Sequence, residues 1–127
     1  MSCIRSRHTG SATVELALVL PLALFAALAL VQVGLLAKES LAVANAAREG
    51  AREAAVSSDE DRVRDAVLRS GLSSERTVVS VQRRGGVGVP VTVSVRYRSQ
   101  VVVPFVEWLF PEEVALQSTV TMRQETD

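Results

Sequence analysis

The feature that most constrains this chain is an apolar run from Leu16 to Ala37, interrupted only by Pro21, Gln32 and Gly34. As an α-helix, the run would rise about 33 Å, enough to cross the hydrocarbon core of a bilayer, about 30 Å thick. The buried core helix of a soluble protein is the alternative, but such helices rarely carry so long an apolar stretch without a polar face. The run therefore predicts one transmembrane helix.

The charges on either side of the run predict its orientation. Arg5 and Arg7 precede the run with no acidic residue before Glu15, whereas Lys38 and Glu39 at the far end cancel. Basic residues are retained on the cytoplasmic side, so we expect the N-terminus inside and the C-terminus outside. The predicted organisation is a basic cytoplasmic leader, a transmembrane helix with its extramembrane extension, and a small extracytoplasmic α+β domain, over residues 1–10, 11–56 and 57–127.

A removable secretory signal is the main competing interpretation. Ala42-Val43-Ala44 and Ala44-Asn45-Ala46 both have the small-x-small pattern of signal peptidase sites. The apolar run is longer than the 7–15 residues usual for a signal peptide, and the helical pattern continues through both sites. A retained anchor is favoured over a released, soluble binding module. A plain single-pass protein with an extracytoplasmic binding domain is a third possibility.

The helix is predicted to continue beyond the membrane to Val56, because residues 38–56 are rich in Ala, Glu and Arg and contain no Pro. Small residues recur there at every fourth position, at Ala42, Ala46, Gly50 and Ala54. This small-residue stripe would allow another backbone to approach closely. Simple helix propensity and a subunit-packing face explain the stripe equally well, and both readings stay open.

After this helix the pattern predicts a second short helix and about three antiparallel strands. Ser58 or Asp59 can cap a helix that runs through Ser70, with Val63, Ala66 and Val67 on one side and Gly71 as its terminator. Apolar residues then alternate with polar ones over 79–82, 87–97 and 114–123, with a hairpin turn at 83–86. The expected fold class is α+β.

The segment from Val101 to Pro111 interrupts this pattern. It contains two prolines and three of the five aromatic residues of the chain. Prolines make a continuous strand unfavourable. A plug that completes the core of the small domain is favoured over an exposed apolar patch.

Residues that carry catalysis are scarce in this sequence. The single His8 and the single Cys3 lie in the leader, which excludes a zinc or nucleophile–base site and an intramolecular disulfide. The acidic cluster at 59–61 lacks the spacing of a calcium loop, and the glycines at 85–88 lack the Lys-Ser/Thr pair of a phosphate loop. Basic and acidic residues balance at 14 each. We expect no enzymatic activity, no cofactor or metal, no nucleic acid and no small-molecule substrate.

The sequence Gly10-Ser11-Ala12-Thr13-Val14-Glu15 before the apolar run resembles the N-terminus of type IV pilin-like precursors. More narrowly, the chain is similar to the TadE-like pseudopilins of Tad/Flp tight-adherence pilus systems. Residues 46–52 and the closing strand that ends at Met122-Arg123 support this resemblance. The chain departs from better-known type IV pilins in having Ser11 where Phe is usual, and in lacking a pair of distal cysteines.

The resemblance implies a structural protein that is processed and assembled. A prepilin peptidase would cut between Gly10 and Ser11, which makes Glu15 the fifth residue of the mature chain. The Glu15 carboxylate would then pair with the new amine of a neighbouring subunit; the alternative is an acid that only favours the helix macrodipole. The implied location is the bacterial cytoplasmic membrane, with roles in adhesion or secretion. The implied partners are the membrane, the peptidase, other pilin-like subunits and the pilus assembly platform.

Overall fold

The fold is one long helix with a small α+β unit built on its C-terminal half. The computed structural model describes residues 9–102 and 111–125. In chain order the elements are α1 (Thr9–Val56), α2 (Glu60–Leu68), a short 3₁₀ turn (Ser74–Arg76), β1 (Thr77–Arg83), β2 (Pro90–Gln100) and β3 (Glu113–Arg123). This is the α+β arrangement that the sequence predicts.

Helix α1 is 48 residues long and continues through Pro21. At about 1.5 Å per residue it extends about 72 Å. Its most apolar 18-residue window has a mean hydropathy of 2.5, and none of that window is buried inside the protein. By length and composition, α1 can cross a membrane. The apolar N-terminal half is therefore a candidate for a single-pass anchor.

The three strands form one antiparallel sheet in the order β1-β2-β3. Val93 of the central strand pairs with Val81 of β1 and with Val120 of β3. Because side chains alternate along a strand, every second residue of β2 points to the inner face of the sheet. These inner residues are buried: Val91, Val93, Val95, Tyr97 and Ser99.

The outer face of the sheet is polar. Two hydroxyl pairs lie on it, Thr92 with Thr121 at 2.9 Å and Ser94 with Thr119 at 3.0 Å between oxygens. The alternation of buried and exposed residues is the one that the period-2 pattern predicts for β2 and β3.

The hydrophobic core lies between the inner face of the sheet, α2 and the C-terminal half of α1. Helix α1 contributes mainly alanines, of which Ala46, Ala47, Ala51 and Ala54 are fully buried. Val63 and Val67 of α2 and the valines of β2 supply the bulk opposite them. The C-terminal half of α1 is thus part of the core of the folded unit.

Helix α2 begins where the local sequence predicts and ends two residues earlier than predicted. The Asp59 side chain accepts a hydrogen bond of 2.9 Å from the amide of Asp61. Val63, Ala66 and Val67 are its buried residues. The helix ends at Leu68, two residues before the predicted Ser70, and the chain turns at Gly71, whose φ of 83° suits a residue without a Cβ.

The β1–β2 connection is longer than the sequence pattern indicates. The alternation predicts a strand from Val87, but β2 begins at Pro90. The first residue of β2 that pairs with β1 is Val91, opposite Arg83. Gly88, with a φ of 86°, makes a turn instead, and its amide donates to the Gln124 carbonyl at 2.8 Å. Most of the Val101–Pro111 segment lies outside the described residues, so its interpretation as a core plug stays a prediction.

Candidate processing and assembly site

Gly10 and Ser11 lie in the first turn of α1 and are both exposed. Among the described residues, a Cβ built on Gly10 would meet no atom within 4 Å, so no described side chain blocks the predicted cleavage point. The Thr13 hydroxyl donates a hydrogen bond of 2.9 Å to the Gly10 carbonyl oxygen, which belongs to the Gly10–Ser11 peptide bond. A peptidase that bound this segment in an extended conformation would have to break the hydrogen bond between Thr13 and Gly10 and open the first turn of α1.

Glu15 is exposed on an apolar helix surface. Its neighbours Val14 and Leu16 are 61% and 62% exposed. No ion pair to Glu15 occurs within the part of the chain that the structure describes. Glu15 also lies about 9 Å along the axis from Thr9, beyond the first turn, where the helix macrodipole acts most strongly. The intact helix therefore offers the carboxylate little stabilisation.

If the chain began at Ser11, the surroundings of Glu15 would change. Residues four apart lie on the same helix face, one turn from each other, so Ser11 and Glu15 are neighbours on the surface of α1. In two such helices packed side by side, the free amine of Ser11 on one helix would lie on the same exposed surface that carries the Glu15 carboxylate on the other. The geometry thus brings together the processing and assembly residues that the sequence singles out, on one exposed surface.

The small-residue stripe packs within the chain. Ala46, Gly50 and Ala54 are buried and Ala42 is half-buried. A Cβ on Gly50 would lie 2.7 Å from Val67 Cγ2 and 3.2 Å from Val93 Cγ1. The close approach that the stripe permits is therefore made by α2 and β2. Packing inside the subunit accounts for the small size of these residues.

Gln32 is a structural residue whose partner the sequence does not indicate. It lies inside the apolar run but is only 1% exposed, and its Oε1 accepts a hydrogen bond of 3.3 Å from the Val102 amide. This bond joins the anchor helix to the chain just after β2. The single amide side chain in an apolar run was the available signal, but nothing in the sequence points to Val102.

Arg83, at the end of β1, holds the C-terminus of α1. Its Nη1 donates to the Ala54 carbonyl and its Nη2 to the Ser57 carbonyl, both at 2.9 Å. The Glu125 amide donates to the Ala55 carbonyl at 2.7 Å. These bonds satisfy carbonyls that have no partner within the helix. No local signal marks Arg83 for this role, because the contact spans the whole of α2 and β1.

Across 9–102 and 111–125, no three His, Cys, Asp or Glu side chains come together as metal ligands. A shallow cleft between α1 and α2 is lined by charged side chains, with Arg62 Nε 3.6 Å from Glu53 Oε1. Surface ion pairs of this kind contribute about 0–1 kcal/mol, and we assign the cleft no chemical role.

Comparison with known families gives one match. The family model described as TadE-like protein matches residues 10–52, about a third of the chain, beginning at Gly10 and including Glu15. Residues 10–52 are similar to the TadE-like family. The resemblance inferred from the sequence is confirmed over this range, which covers the exposed half of α1 and most of its packed half. No curated protein and no solved structure matches the chain.

Proposed function

We propose that this chain is a pseudopilin-like assembly protein of a Tad-type pilus or related secretion apparatus, processed by a prepilin peptidase between Gly10 and Ser11. One observation carries the proposal: the TadE-like match begins at Gly10, at the exposed start of a helix that is long and apolar enough to span a membrane. The role is structural, with no reaction performed by the chain itself.

We place the protein in the cytoplasmic membrane with its N-terminus inside. The basic residues Arg5 and Arg7 before the run support this orientation. A peptidase acting at the cytoplasmic face could then reach Gly10, while the sheet and α2 would be outside. Signal peptidase release near Ala44 is disfavoured, because Val43 and Ala46 are buried in the core inside an unbroken helix.

Processing would convert Glu15 from an isolated carboxylate into an assembly contact. An ionised Glu near hydrocarbon costs about 1–3 kcal/mol or more, depending on its depth. A new amine at Ser11, on a neighbouring subunit, would offset much of that cost. Because the carboxylate lies on an exposed apolar surface of α1, it is open to another helix packed alongside.

The test of processing is mass analysis of the membrane-extracted protein after coexpression with the cognate prepilin peptidase. We expect loss of residues 1–10 and a mature chain that begins at Ser11. Gly10→Leu should abolish the cut, because a side chain would block close approach to the backbone. The matched control is Gly34→Leu, in the same helix and also in open space, which should be cut normally. An uncut wild-type chain would reject the proposal; a chain beginning after Ala44 or Ala46 would instead support the secreted module.

The role of Glu15 is tested separately from processing. Glu15→Ala should leave the cut at Gly10 unchanged but reduce the number of filaments counted by electron microscopy in a strain that carries the whole pilus system. Glu49→Ala is the control, since Glu49 is an exposed acid on the same helix outside the apolar run. Normal filament numbers with Glu15→Ala would contradict an assembly role for this carboxylate.

A further inference from the structure

We propose that the membrane-proximal end of the sheet, formed by Val101 and Val102 after β2, lies in the boundary between the headgroups and the hydrocarbon of the outer leaflet. The inference rests on the membrane span of the proposed function. It goes further, because it assigns a lipid-contacting surface to the sheet domain. The observation behind it is the hydrogen bond from the Val102 amide to Gln32, a residue inside the apolar run.

The sheet runs alongside α1 and is attached to it at both ends. At the far end, Arg83 bonds the Ala54 carbonyl and Glu125 bonds the Ala55 carbonyl. At the near end, Val102 bonds Gln32. The helix rises about 35 Å between Ala55 and Gln32, and an extended chain covers about 40 Å from Pro90 to Val102. The end of β2 is therefore level with Gln32 and does not project away from the helix.

The length of the fully exposed helix places that level at the membrane. From Leu16 to Ala27 every residue of α1 is exposed, but this stretch rises only about 18 Å. A hydrocarbon core is about 30 Å thick, so about eight more residues must lie in it, to near Leu35. Those residues include Gln32, so the contact between Gln32 and Val102 lies within about one helical turn of the hydrocarbon boundary.

The chemistry of this end of the sheet fits a bilayer. Val102 is 72% exposed and apolar. An unpaired amide in hydrocarbon costs several kcal/mol, and Gln32 Oε1 removes that cost for Val102. Acidic residues lie beside Val101 and above it: the Val101 amide donates to the Glu112 carbonyl at 3.5 Å, and Gln100 pairs with Glu113 in the sheet. An exposed valine next to exposed acidic residues fits the boundary between hydrocarbon and headgroups, where apolar and charged groups meet.

The test uses labels at single cysteines in the full chain, with Cys3→Ser as background, reconstituted in phosphatidylcholine vesicles. An environment-sensitive fluorophore is placed at Val102→Cys. Val87→Cys, 58% exposed in the β1–β2 connection, is the matched control at the far end of the sheet, and Leu24→Cys, 56% exposed, reports on the span. All three positions are exposed in the folded chain, so these labels should not disturb its core.

We expect the Val102 label to be quenched by lipids that carry a spin label near the headgroup. Its quenching by aqueous iodide should be several-fold weaker than at Val87. Iodide quenching at Val102 equal to that at Val87, with Leu24 protected, would overturn the inference while leaving the span intact. Protection of Val102 without quenching by spin-labelled lipid would also overturn it, because a protein surface would then cover this end. An iodide-accessible Leu24 would reject the span, and with it both proposals.

Discussion

Gly50 lies where α1, α2 and β2 meet, and its missing side chain is what lets them meet. The contact of 2.7 Å that a Cβ would make involves Val67, a β-branched residue that is itself fully buried. Such a side chain has few other rotamers available. The backbones of the two helices are therefore held close by the absence of one methyl group.

Gly50→Ala should lower the stability of the folded unit. Alanine gains about 1 kcal/mol of helix propensity over glycine, but forcing a methyl into a packed core costs about 1–3 kcal/mol. We expect a net loss of about 1 kcal/mol, measured by chemical denaturation in detergent micelles and followed by circular dichroism. Gly34→Ala, in open space on the same helix, should leave stability equal or higher. A more stable Gly50→Ala protein would contradict the packing described here.

The residues of the candidate site can be predicted from the local sequence alone. Gly10, Ser11 and Glu15 are readable from the sequence because a glycine, a serine and an acid stand at fixed distances before an apolar run. The structure places them on the first two turns of α1, which are exposed, and the Thr13 hydroxyl donates a hydrogen bond to the Gly10 carbonyl. Their roles in processing and assembly stay predictions.

Among the elements, the end of α1 shows how a helix terminus is stabilised from a distance. No basic residue lies in the last turn of α1. The guanidinium of Arg83 supplies the missing donors and positive charge at the C-terminal end, where the helix dipole is negative. Arg83 therefore attaches the β1–β2 hairpin to α1.

Arg83→Met should weaken that attachment. The substitution keeps an unbranched side chain of similar length but removes both hydrogen bonds, so the Ala54 and Ser57 carbonyls lose their charged donor. We expect a loss of about 1–3 kcal/mol in the free energy of unfolding, measured by urea denaturation. Arg84→Met is the matched control, since Arg84 is the next residue in sequence and is exposed. This substitution should change the free energy of unfolding by less than about 0.5 kcal/mol. Equal effects of the two substitutions would show that Arg83 does not act as a cap.

At the scale of the whole molecule, the central feature is that the two halves of α1 have different surroundings: one half is exposed and the other is packed in the core. Its N-terminal half presents apolar side chains outward, and its C-terminal half is a wall of the domain core. The domain therefore cannot tumble freely on a linker.

A chain that starts inside α1 should reveal this dependence. We expect residues 39–127 to fold on their own. The chain 47–127, which a cut after Ala46 would produce, should be less stable because it lacks the buried Val43 and Ala46. Loss of these apolar contacts and of a helical turn should cost about 2–4 kcal/mol. Thermal unfolding followed by circular dichroism measures the difference. Equal melting temperatures would show that a signal-peptidase product is a viable folded protein.

The sequence by itself determined the features that depend on neighbours within a turn or two. A long helix over the apolar run, a cap at Ser58 or Asp59, a helix terminator at Gly71 and period-2 strands were predicted. The long helix and the strands are present, Asp59 is the cap, and the chain turns at Gly71. They are readable because caps, turns and amphipathic faces are set by residues a few positions apart. The start of β2 was misplaced, since the alternation of valines continues into the turn at Gly88, which only the contact with Gln124 distinguishes from a strand.

The tertiary structure decided which distant segments meet. The small-residue stripe indicated a close approach, but only the fold shows that α2 and β2 make it at Gly50. Likewise, Gln32 meets Val102 and Arg83 meets Ala54 across long stretches of chain. The physical reason is that a buried polar side chain requires a hydrogen-bond partner, but its residue type does not predict which distant residue supplies it. The two residues meet only when the sheet has packed on the helix and the intervening loops have closed.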